Sequence, residues 1–222
     1  MATQQSRKMR KIAAVAAGAL VVGVGASFTL ASWTDSEWVS GSVDGETPGV
    51  GTSDFEVQQN TSSPYADTGW TDEEENPGGA LLFSAGALSL TPGDSIYAPV
   101  ALQTTEDSLA ATVNLQGAVA SAGITIDDPD GALWAAIDVD VYTAAGATPP
   151  ACTPADFDAA DWTAILTGGL DDAATAPQDL AAESGSTQHY CFVLTLPDDA
   201  ADTLQGLTIA PAWEFASESV DA

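Results

Sequence analysis

From Ile96 to Leu102 an apolar side chain falls on every second residue: Ile96, Ala98, Val100, Leu102. The same period of two returns in Leu109, Ala111, Val113 and Leu115, and again in Ile137, Val139 and Val141. It returns a fourth time in Tyr190, Phe192, Leu194 and Leu196. A strand points alternate side chains to opposite faces, so this spacing gives half-buried β-strands and not helices. Pro and Gly punctuate the runs, as in Thr91-Pro92-Gly93-Asp94, where turn chemistry needs them. The expected architecture is therefore all-β: an antiparallel, jelly-roll-like β-sandwich over residues 80–216.

Individual elements are expected as follows. Residues 54–58 alternate and read as a short strand, and 82–90 read as another. The runs at 96–102 and 109–115, joined by Thr104-Thr105-Glu106-Asp107, predict a hairpin. Residues 143–186, rich in Ala and Asp with Pro149, Pro150, Pro154 and Pro177, read as an insertion carrying a short helix. That helix is placed over 154–166, with Thr153 as N-cap and Pro154 at the first position. The last strand is expected over 207–215, at a sheet edge or with a bulge, because Pro211 removes a ladder donor. Trp134 and Trp213 lie in strand patterns and are expected in the core. Residues 217–222 form an acidic tail with no apolar anchor.

Charge divides the chain sharply. All four Lys and Arg residues are Arg7, Lys8, Arg10 and Lys11, and all 32 acidic residues follow them. The basic cluster precedes an apolar stretch over 12–26 and small residues up to Ala31, the pattern of a secretory signal peptide over residues 1–31. Cleavage is expected between Ala31 and Ser32 by a signal peptidase. The apolar stretch is short and Gly-rich against the roughly 20 apolar residues of a membrane span, so no membrane attachment is expected after cleavage. Residues 32–79 then form an N-terminal arm and loop.

The remaining chain, about 190 residues, is long enough for one domain with a real core. Its only side chain that can become cationic is His189. Phosphate recognition needs Lys or Arg, so nucleic acid is excluded as a partner. The carboxylates have backbone, water or cations as their partners, and their repulsion is screened by salt over about 10 Å at 0.1 M. Two cysteines in an exported chain, Cys152 and Cys191, predict a disulfide. It would close a loop of about 40 residues, worth about 4 kcal/mol.

Catalytic patterns are missing from the sequence. It contains no H-E-x-x-H and no G-x-S-x-G, and His189 stands alone. No enzymatic activity and no cofactor are expected. Asp127, Asp128 and Asp130 are weak calcium candidates, but they lack the spacing and distal Glu of an EF-hand. A turn is the simpler reading of that stretch. Trp33, Trp38, Trp70 and Trp162 are candidates for stacking on sugars if exposed.

Several stretches resemble the TasA/camelysin family of secreted proteins with a SipW-type signal peptide. They are Ala31-Ser32-Trp33-Thr34-Asp35, Trp38-Val39-Ser40-Gly41, and Leu88-Ser89-Leu90-Thr91-Pro92-Gly93-Asp94. Asp107-Ser108-Leu109-Ala110-Ala111 and the run from Leu204-Gln205-Gly206-Leu207 to Phe215 complete the set. Residues 143–186 have no counterpart, and the Lys-rich character of the family's fibres is missing. The resemblance implies a jelly roll and a structural subunit of an extracellular fibre or biofilm matrix. It also implies self-assembly by donation of the N-terminal strand, for which Trp33 and Trp38 would be the anchors. The alternative is a monomeric carbohydrate- or cation-binding surface domain.

Overall fold

Ten strands carry the computed structural model, which describes residues 48–220 together with Ser36, Glu37, Val39 and Gly41. The chain divides after Gly51, and the unit from Thr52 onward contains every element below. The protein is all-β and antiparallel. A five-stranded sheet has the order β1 (Val57–Asn60), β2 (Ser95–Thr104), β8 (Gln188–Thr195), β5 (Asp138–Ala145), β6 (Thr163–Gly169). A three-stranded sheet has the order β10 (Phe215–Val220), β3 (Ala110–Leu115), β7 (Gln178–Leu180). A two-stranded ribbon joins β4 (Val119–Ala120) to β9 (Pro211–Ala212).

Register explains the core. Phe192 of β8 lies opposite Ala98 of β2 and Val141 of β5, and Leu194 lies opposite Ile96 and Val139. These side chains form one apolar face of the large sheet. Ala111, Val113 and Leu115 of β3 and Leu180 of β7 supply the facing layer of the same buried cluster. Burial of such side chains contributes about 1.5–3 kcal/mol each. Phe192 is the hub, with Trp213 at 4.9 Å and Phe215 at 6.3 Å between ring centres.

The other face of β8 is buried as well. Cys191 and Val193 lie under Cys152 and Trp162, with Phe157, Tyr97 and Tyr142 packed around them. Residues 146–162 thus cover the outside of the large sheet. The chain has a third layer there, and β8 is buried along nearly its whole length.

Several sequence expectations change. β2 and β3 do not form a hairpin. β2 pairs with β1 and β8, whereas β3 pairs with β10 and β7. Both strands carry the same apolar alternation, and the turn between them carries the chain from one sheet to the other. Residues 82–90 are not a strand. Gly86 has φ +100°, and Ser89 N–H bonds to its carbonyl at 2.8 Å, so the run bends into a turn. The helix expected over 154–166 is a single turn at Thr153–Phe157, a 3-10 turn at Ala159–Asp161, and then β6. Thr163, Ile165 and Thr167 are β-branched and favour the strand. Because β6 and β7 belong to the two sheets, residues 143–186 are not an insertion.

The one α-helix among the described residues, α1 (Ala132–Ala136), lies earlier, before β5. The expected closing strand splits into β9 and β10, and Pro211 sits in the two-stranded ribbon opposite Ala120. Residues 217–220 extend β10 opposite β3, so they are not a free tail.

Candidate functional site

The three-stranded sheet is too narrow to cover the inner face of the five-stranded one. Two irregular segments, 79–92 and 196–213, complete the cover, and a cavity of about 630 Å³ remains beneath them. Its floor is Ile96 of β2 with Phe192 and Leu194 of β8. Its walls include Leu88, Trp213 and Phe215. Leu88 is 91% exposed and Ile124, also on the rim, is 53% exposed. Asp202 is the sole carboxylate among the described lining residues, although the chain carries 32 acidic side chains. The groove is therefore an apolar opening in an acidic surface. Trp213 adds one polar feature: its indole N–H is buried without a partner. β10 stands beside it at a sheet edge, paired among the described residues on one side. Such an edge presents unpaired N–H and C=O groups that an added strand can satisfy.

Cys152 and Cys191 are bonded, with their Cα atoms 5.6 Å apart. The bridge ties residues 146–162 to the central strand. Phe157 gathers this layer, 5.3 Å from Tyr97, 5.1 Å from Tyr142 and 6.5 Å from Trp162 between ring centres. Phe157 sits in an irregular stretch with no period, and the sequence offered no signal for it. Trp162 is buried here, so it is not an exposed stacking platform. Trp70 is half-buried and donates its indole N–H to Asp67 Oδ1 at 3.2 Å. Trp134 and Trp213 are half-buried against the main core, but neither lies in a strand as the sequence pattern predicts: Trp134 is in α1 and Trp213 falls between β9 and β10.

His189 is buried on β8. Its Nε2 lies 2.8 Å from the Gly146 carbonyl, and Tyr65 meets the ring edge-on at 4.7 Å. Desolvation lowers its pKa below the ordinary 6.5, with the Gly146 carbonyl and Asp67 opposing the shift. The ring is neutral at pH 7 and, since a carbonyl only accepts, Nε2 carries the hydrogen.

Of the three weak calcium candidates, Asp127 and Asp130 are exposed, whereas Asp128 is buried. Asp128 accepts from the backbone N–H groups of Leu133 at 3.2 Å and Trp134 at 2.8 Å, capping α1. Asp127 pairs its backbone with Thr208. Among the described residues no three His, Cys, Asp or Glu side chains gather as a metal site. Ala31, Ser32, Trp33 and Trp38 lie outside the described residues. Among the described residues no helix is long and apolar enough to cross a membrane. No protein-family model matches the chain, and no curated protein matches it.

Proposed function

We propose that this chain is a secreted structural subunit of an extracellular fibre or matrix, resembling the TasA/camelysin family and lacking enzymatic activity. Each subunit accepts an extended segment of the next one into the apolar groove. The observation that carries this reading is the groove itself: about 630 Å³, apolar and exposed at Leu88, beside the one-sided edge of β10. An entering strand gains backbone hydrogen bonds from the edge and apolar burial from the floor. The segment 32–43, freed by signal peptidase, is the donor, with Trp33 and Trp38 as the anchors. The disulfide supports export, because such bonds persist in oxidising compartments.

Two acidic subunits repel at low ionic strength, so salt, calcium or pH near 4 should promote assembly. Electron microscopy and light scattering of the chain starting at Ser32 test this. Deleting 32–43 and, separately, Leu88→Asp should each leave a folded monomer under all three conditions. Equal polymerisation of the truncated chain overturns the donor assignment, and equal polymerisation of Leu88→Asp overturns the groove. If the intact chain stays monomeric throughout, the monomeric surface-domain reading replaces this one.

A further inference from the structure

A second crevice, of about 320 Å³, lies on the opposite face of the five-stranded sheet from the assembly groove. Pro99 of β2 and His189 of β8 form its floor. Ser62, Ser63, Pro64 and Tyr65 form one wall. The other wall is the run from Thr148 to Thr153, held down by the Cys152–Cys191 bridge, and Trp162 also lines the crevice. None of the described lining residues is Asp or Glu, in a chain with 32 of them.

Two buried side chains of the lining, Trp162 and His189, keep a polar atom with no partner among the described residues. Trp162 is only 8% exposed, and its indole N–H is buried without an acceptor. His189 is 2% exposed and gives Nε2–H to Gly146, which leaves Nδ1 as a lone-pair acceptor. The Ser63 and Thr148 hydroxyls are exposed at the rim. An unsatisfied buried donor is costly, so a ligand group that accepts from it gains in complementarity. The remaining surface is the flat, apolar kind supplied by Tyr65, Pro64, Pro149 and Pro150.

We propose that this crevice binds one neutral sugar ring. A pyranose presents flat C–H faces to Tyr and Pro surfaces and hydroxyls that both donate and accept. Those hydroxyls match an indole N–H, an imidazole lone pair and small hydroxyls. Anionic ligands find no cation here and enter a field of net charge −28. Cationic ligands find no carboxylate in the lining. The volume lies at the low end of the roughly 300–1,000 Å³ range of ligand sites, so one ring enters and the chain continues into solvent. The disulfide pre-organises one wall, so binding depends on the oxidised form.

Saturation-transfer NMR and calorimetry on the whole chain test the proposal, using glucose, galactose, mannose and N-acetylglucosamine, with glucuronate as charged control. At least one neutral sugar should bind saturably, with Kd on the order of 1 mM. Glucuronate should bind at least tenfold more weakly. Trp162→Phe keeps the ring but removes the N–H, and should weaken binding about tenfold. Tyr65→Ala, at a half-buried position outside the core, should do the same and guards against misfolding of the first variant. Leu88→Asp should bind as the parent does, because it touches only the other face. The proposal is overturned if no neutral sugar saturates, if glucuronate binds equally, or if both crevice variants bind like the parent. It is also overturned if a proline-rich peptide displaces the sugars and binds at least tenfold more tightly.

Discussion

Removing the disulfide should loosen one layer of the protein while leaving its sheets in place. The bridge closes a sequence separation of 39 residues. In the chain-entropy treatment that loop restricts the unfolded state by about 13 cal/mol/K, or about 4 kcal/mol at ambient temperature. The native-state change in Cys152→Ser is small by comparison, since Cys152 sits at the margin of its cluster and Cys191 stays as a buried neutral thiol beside Val193. The expected loss is therefore about 3–4 kcal/mol, a large share of the 5–15 kcal/mol typical of a domain.

Urea unfolding followed by tryptophan fluorescence measures this loss, at fixed salt because guanidinium would itself screen the carboxylates. Amide exchange then locates it. Residues 148–162 should lose protection first, whereas β8 keeps its protection, because its ladders to β2 and β5 do not involve the bridge. A loss below about 1 kcal/mol, or equal loss of protection in β8 and in the covering segment, would refute this reasoning.

Asp128→Ala should cost about 1–2 kcal/mol by leaving the Leu133 and Trp134 N–H groups without their carboxylate, and thermal unfolding measures it. Gly117→Ala should cost about 1–3 kcal/mol, because a Cβ there runs into the backbone carbonyl of Asp171, next to the Ala118 N–H bond to Leu170; an unchanged urea midpoint would contradict it. His189 should make stability fall as pH drops through 6.5. Its folded pKa is depressed, so below 6.5 the unfolded chain takes up a proton that the native ring resists until the lower folded value is reached. His189→Gln should flatten the stability profile between pH 7.5 and about 5.5 relative to the parent, leaving only the carboxylate contribution at lower pH.

What the sequence determined by itself was local. The period of two in Ile96–Leu102, in Leu109–Leu115 and in Tyr190–Leu196 encodes strands, since each residue's face depends only on its neighbours. The disulfide was legible because two cysteines allow a single pairing. Partnership was not legible. β2 and β3 carry interchangeable patterns, and only the packing of Ile96 and Val113 into one core from opposite sheets decides that they do not pair. The same holds for residues 82–90: their apolar count looks like a strand, yet the turn at Gly86 makes them a loose cover over Phe192 and Leu194. In sequence Trp162 reads as a possible stacking residue and His189 as an isolated surface or structural residue. The chain places both beneath the layer tied down by Cys152, where burial leaves the indole N–H without a partner and keeps the imidazole neutral. Periodicity is a property of adjacent residues, whereas cavities and desolvation arise from segments tens of residues apart.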